Sequence, residues 1–136
     1  MSNGTWRPAA PAGELALKTL RDQATVRLPT AYLQQLATSN GGEGDLGVDP
    51  GWIVFWPAEE VLSLNTTYSL PEFLPGFFGF GSNGGGELLA FDVRGEEPYP
   101  VAMVPFIPLD PREAVQIAGS FDEIRDSIGK RPVGAA

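Results

Sequence analysis

The chain contains no histidine and no cysteine. Without imidazole there is no Ser-His-Asp or Cys-His nucleophile and no zinc site built on histidine. Without thiols there is neither a disulfide framework nor a thiolate metal site, which agrees with a reducing compartment. An enzyme of this composition would have to work with carboxylates, Lys, Tyr or Ser, so a non-catalytic protein with no cofactor is expected. No apolar run approaches the roughly 20 residues of a membrane span. Met1–Gly13 lacks the apolar centre of a secretion signal. The expectation is a cytoplasmic protein that engages neither membrane nor nucleic acid.

Basic residues are scarce where acids are dense. Residues 43–99 carry ten acids and Arg94 alone, a net of −9, against +2 for residues 1–42 and −1 for residues 100–136. The total is −8. An acidic middle repels nucleic acid and anionic lipid and attracts a basic protein partner. The plainer reading is a solvated surface that keeps the protein soluble.

What the chain does have is glycine. Gly79-Phe80-Gly81-Ser82-Asn83-Gly84-Gly85-Gly86-Glu87 can be written G-x-G-x-x-G, the pattern of a dinucleotide site. That site needs a helix after the glycines, because the helix N-terminus holds the pyrophosphate. Here Leu88-Leu89-Ala90-Phe91-Asp92 follows. Three successive glycines start a helix poorly, each costing about 1 kcal/mol relative to Ala. A phosphate loop would also need a lysine, and none lies between Lys18 and Lys130. The segment reads instead as strand, glycine turn, strand, with Gly84 or Gly85 at positive φ.

The 136 residues fit one domain. Pro- and Ala-rich residues 1–13 read as an N-terminal tail, residues 14–129 as the domain, and residues 130–136 as a C-terminal tail. Leu15, Leu17, Leu20 and Ala24 have helical spacing. Leu28-Pro29-Thr30 interrupts, Thr30 caps, and a second helix runs over Ala31–Thr38, stopped by Ser39-Asn40-Gly41-Gly42. Glu43–Leu46 reads as a short edge strand. Trp52–Trp56 is apolar at every position and reads as a central strand covered on both sides. Pro57 opens a helix through Val61, Leu62 and Leu64 that frays near Asn65. After a loop over Thr66–Pro75, strands are expected at Gly76–Phe80, Glu87–Val93 and Pro98–Phe106. Ser120 and Glu123 have the spacing of a capping box before a last helix bearing Phe121, Ile124 and Ile128. This order is α+β, an antiparallel sheet with helices packed against it.

Five blocks, in order, resemble a known family: Leu28–Leu33 (Leu-Pro-x-x-Tyr-Leu), Asn40–Gly42, the Trp56-Pro57 helix ending in Asn65, Gly79–Asp92, and Ser120–Glu123. Together they resemble the SUKH superfamily, which includes bacterial immunity proteins and a fungal cell-wall-synthesis regulator. The resemblance spans roughly residues 14–128 and implies an α+β domain that binds protein. In bacteria it often implies neutralisation of a competitor's toxin. It brings no catalytic residues with it. A housekeeping interaction module is the alternative within the family; a carboxylate-based metal hydrolase is the alternative outside it.

Each candidate site has a structural reading beside the functional one. Glu43, Asp45, Glu59, Glu60, Asn83 and Glu87 are the expected partner contacts, since they lie in the acidic middle and at the glycine turn. Glu43, Asp45 and Asp49 could alternatively hold a divalent cation, although no calcium-loop pattern accompanies them. Glu87 and Asp92 could pair for acid–base work, yet five residues apart in a strand they face opposite sides. Trp52 and Trp56 are interface anchors or core. Phe73, Leu74, Phe77, Phe78 and Phe80 are a groove wall or core.

Overall fold

Strands consecutive in sequence are neighbours in the sheet and pair antiparallel, so no connection has to cross over another strand. The structure is a computed structural model that describes residues 4–132. Its seven strands are β1 (Trp6–Arg7), β2 (Glu43–Asp45), β3 (Trp52–Phe55), β4 (Phe77–Ser82), β5 (Glu87–Asp92), β6 (Val101–Pro105) and β7 (Val115–Ala118), in spatial order β1 to β7. The helices are α1 (Glu14–Gln23), α2 (Thr30–Thr38), α3 (Ala58–Thr67), α4 (Leu70–Phe73) and α5 (Phe121–Ser127). The domain is α+β, as its sequence order implies.

Register assigns the two faces of the sheet. Phe78 sits opposite Phe91, and Phe91 opposite Val101. Gly79 sits opposite Ala90, and Ala90 opposite Ala102. On the Phe91 side, five rings form the centre of the core. Phe80 and Phe91 stack at 4.6 Å, Tyr32 of α2 meets Phe91 edge-on at 5.2 Å, and Phe121 of α5 meets Tyr32 at 5.5 Å. Phe55 of β3 stacks on Phe80 at 5.9 Å. Each such pair contributes about 0.5–1.5 kcal/mol beyond its buried area, so this cluster ties two helices to three strands. On the Gly79 side, Leu88, Ala90, Ala102 and Val104 are also buried, which leaves the middle of β5 covered on both faces.

Several expectations change. β3 is not covered on both sides: Ile53 and Phe55 are buried, but Trp52 and Val54 are only half-buried. β6 is shorter than expected, because Pro98 and Pro100 lie outside the ladder; β7 was not anticipated. The loop before β4 contains α4, entered through Ser69 at φ +55°. Pro29, not Thr30, is the cap of α2, and no side chain bonds there. The capping box is displaced by one residue: Glu123 Oε2 accepts from the Gly119 amide at 2.9 Å, and Ser120 makes no side-chain cap bond.

The stretch expected as an N-terminal tail carries β1, and its backbone is bonded to the domain. The Ala12 amide donates to the Leu36 carbonyl at 3.0 Å, and the Asn40 amide donates to the Ala10 carbonyl at 2.7 Å. Residues 1–3 and 133–136, the outer parts of the two expected tails, lie outside the described residues.

Candidate protein-interaction surface

The glycine-rich segment is a hairpin, and its glycines answer different demands. At Gly79 a Cβ would lie 3.0 Å from methyls of both Leu70 and Leu88, so one would fit only if those side chains gave way. Gly81 follows an irregularity in the β4–β5 pairing, and a Cβ there would overlap the Val54 carbonyl oxygen of β3. Gly84 has φ +78°, as the turn requires. A strand follows and no helix, so the amides of this loop do not form a phosphate-binding helix N-terminus. Asn83 organises the turn instead. Its Oδ1 accepts from the amides of Gly85 (2.9 Å) and Glu87 (3.1 Å), and its Nδ2 donates to Glu87 Oε1 at 3.1 Å.

The six expected contact residues fall in three places. Glu43 and Asp45 share one face of β2, and their register partners on β3 are Val54 and Trp52. The glycine turn folds beside the same pair: a Cβ on Gly84 would lie 3.3 Å from Trp52 and 3.4 Å from Val54. Part of this acidity is used internally. Asp45 Oδ2 accepts from the Thr5 amide at 2.6 Å, and Arg7 of β1 stands 4.0 Å from Glu43, an exposed pair of little energetic weight. Glu87 alternates to the Leu89–Phe91 side and is bound by Asn83, so it does not join Glu43 and Asp45. Glu59 lies apart, on the first turn of α3. It accepts from Asn40 Nδ2 at 2.8 Å, and this bond holds its carboxyl below the ordinary value. Glu60, beside it, is exposed.

The Trp52–Val54 face continues as a strip of rings. Trp56 follows β3 with the same alternation, and its indole lies against Gly79. The ring of Tyr68, at the end of α3, stacks on Trp56 at 6.0 Å, and Phe106 lies 4.9 Å beyond it. Trp56 is buried, whereas Tyr68 is 38 % and Phe73 52 % exposed. The two tryptophans therefore divide: Trp56 is core, and Trp52 opens to solvent beside the acids.

The sequence profile of the SMI1 / KNR4 family (SUKH-1) matches residues 11–127. The chain belongs to this family. A comparison with curated proteins finds no match. The five motif blocks that resembled the superfamily turn out to build this SUKH-1 domain from inside. Asn40 Oδ1 accepts the Ala58 amide at 2.7 Å, which supplies α3 with the N-terminal acceptor that Pro57 cannot provide. Tyr32 and Phe121 are core rings.

Asn65 is the residue sequence reasoning undervalued. It is buried; Nδ2 donates to the carbonyls of Val61 (2.8 Å) and Gly79 (2.9 Å), and Oδ1 accepts from the Gly79 amide at 2.8 Å. One side-chain amide thereby fastens α3 to β4 at the point where Gly79 brings the strand close. A polar residue ending an otherwise apolar helix face was the available signal.

The carboxylates do not assemble for chemistry. Glu87 and Asp92 end β5 on opposite sides with different partners, Asn83 and Arg94; Arg94 Nη2 donates to Asp92 Oδ2 at 2.8 Å. Among the described residues no group of three His, Cys, Asp or Glu side chains is placed to hold a metal ion, and no helix is long and apolar enough to cross a membrane. Membership of the SUKH-1 family suggests a protein-interaction domain of non-catalytic type. What the surface offers is a sheet face with acids, one half-open tryptophan and an aromatic strip, suited to protein contact.

Proposed function

We propose that this chain is an immunity protein that neutralises a toxin domain by stoichiometric occlusion. The observation that carries the reading is the half-open sheet face, where Glu43 and Asp45 flank Trp52 and Val54 in a chain of the SUKH-1 family. The acids would meet a basic surface on the toxin, such as one that binds an anionic substrate. Complementary charge raises the rate of encounter, and desolvated rings slow release. Glu59, Glu60, Asn83 and Glu87 contribute at the margin or through fold stability, since Glu59 and Glu60 lie on α3 and Asn83 and Glu87 hold the turn.

The test is co-expression with toxin domains encoded beside the gene, scored by growth, followed by titration of the purified pair. Protection is expected to rise with the molar ratio and stop near one equivalent. Glu43→Lys with Asp45→Lys should slow association about ten-fold at low salt and flatten its salt dependence. Protection at a small fraction of an equivalent would show turnover and end the reading. Absence of protection against every adjacent toxin would favour a housekeeping interaction role.

A further inference from the structure

The strip of rings runs into an apolar patch that the acidic face does not account for. Among the described residues Ile107 is the most exposed of the large apolar side chains, at 92 %. It belongs with Phe73, Tyr68 and Leu109 to the rim of a shallow concavity of about 470 Å³. Leu70 of α4 turns into the core while Phe73, three residues on, turns out.

The loop that carries Ile107 is tied to the neighbouring hairpin at its start and shaped by a local turn at its end. On one side the Phe106 amide donates to the Gly86 carbonyl at 2.9 Å, and the Phe106 ring lies on Tyr68. On the other, Asp110 Oδ1 accepts from the Arg112 amide at 2.9 Å, and Arg112 Nη2 donates to Asp110 Oδ2 at 2.8 Å. Pro105 and Pro108 flank the isoleucine and fix φ on either side. A rigid apolar knob loses little conformational freedom on docking, so most of its burial appears as affinity. An unheld isoleucine in water would have no such use.

We infer that Ile107 and Phe73 are the apolar anchor of the same interface, inserting into a socket on a cationic protein partner whose basic surface lies over Glu43 and Asp45. The inference rests on the immunity reading and names where its binding energy concentrates. Two observations select this occupant. First, the glycine turn joins the patch to the acidic face: a Cβ on Gly84 would lie 3.3 Å from Trp52, and the Gly86 carbonyl accepts from the Phe106 amide at 2.9 Å, next to Ile107. Second, the chain carries −8 overall, and residues 43–99 carry −9. Two copies meeting at this patch would bring like charge together, whereas a basic partner gains from the same field.

The experiment uses the full chain and the toxin domain against which its co-expression restores growth. Ile107→Asp, and separately Phe73→Ser, are compared with wild type by surface-immobilised kinetics, with melting curves to check the fold. Ile107→Asp should melt like wild type, because that side chain stands almost wholly in water; Phe73 is half-exposed, so Phe73→Ser should melt somewhat lower yet remain folded at the assay temperature. Dissociation should become at least ten-fold faster with association changed less than three-fold, the reverse of the split expected for Glu43→Lys with Asp45→Lys. A dissociation rate within two-fold of wild type for both variants, with protection intact, overturns the anchor and leaves the immunity reading standing. A wild-type chain that protects against no toxin domain overturns both. Sedimentation of wild type alone should show a monomer; a dimer that Ile107→Asp dissolves would assign the patch to a second copy and overturn the proposal.

Discussion

Two buried polar side chains show how differently one atom can be treated. Asn65 satisfies its amide completely, so its removal leaves the Gly79 N–H and C=O buried without partners. Asn65→Ala should cost about 2–4 kcal/mol in urea unfolding, since each stranded group costs about 1–3 kcal/mol. Asn65→Asp should be no better, because a carboxylate oxygen would replace Nδ2 opposite two carbonyls. The Tyr32 hydroxyl is the opposite case. It is fully buried among rings and has no hydrogen-bond partner, and burial pushes its pKa up. Tyr32→Phe removes only that stranded hydroxyl. It should unfold within about 1 kcal/mol of wild type or at higher urea, whereas Tyr32→Ala should cost about 3–5 kcal/mol by opening a cavity.

At the scale of elements, the β4–β5 hairpin carries the clearest expectation. Gly84→Val forces a β-branched residue to φ +78° beside Trp52 and Val54, at a cost of about 1–3 kcal/mol. Gly81→Ala should cost at least as much although its backbone is unstrained, because its methyl would meet the Val54 carbonyl and push β3 from β4. Chemical denaturation of the two variants orders them; a neutral Gly81→Ala would contradict the close approach of the strands. The hairpin was legible from its glycines, since no other residue type tolerates so many special positions in so short a run. The strand β7 was not. Val115-Gln116-Ile117 alternates as a strand does, but it follows a proline-dense stretch that obscured where β6 ended.

For the molecule as a whole, the missing histidine sets the response to pH. No side chain of ordinary pKa changes charge between about pH 6 and 8, so stability should be flat there. Acid is different. Asp22 is held below its ordinary value by Lys18, Glu59 by Asn40, Asp92 by Arg94 and Asp110 by Arg112. A carboxylate whose folded pKa is depressed binds its proton first in the unfolded chain. Its contribution is therefore complete above the unfolded value and is lost as pH falls through the folded one. Melting temperature should hold steady from about pH 8 to pH 5 and drop below about pH 4, where ordinary carboxylates titrate. A midpoint of loss near pH 6 would contradict this assignment. Asp22 and Glu59 are exposed, and Asp92 and Asp110 are half-buried beside exposed arginines, so the slope should be shallow and further reduced by salt.

The sequence alone determined the α+β class, the first two helices, the glycine hairpin, the exclusion of thiol and imidazole chemistry, and the superfamily. These follow from local spacing, from backbone demands that few residues meet, and from residue types that are present or not. The tertiary structure decided what lies over each side chain. Trp52 and Trp56 stand four residues apart with the same alternation, yet one is half-open and the other buried, because α3 and α4 cover only part of that face. Glu43 and Asp45 came together while Glu59 and Glu87 did not, since strand register and alternation, not density of charge along the chain, set which acids share a surface. Ile107 read as one more apolar residue among prolines; only the tertiary structure shows it standing in water beside the Phe106–Tyr68 contact. Periodicity reports how a residue points relative to its own backbone, whereas cover is supplied by elements distant in sequence, and that is where the candidate interface was decided.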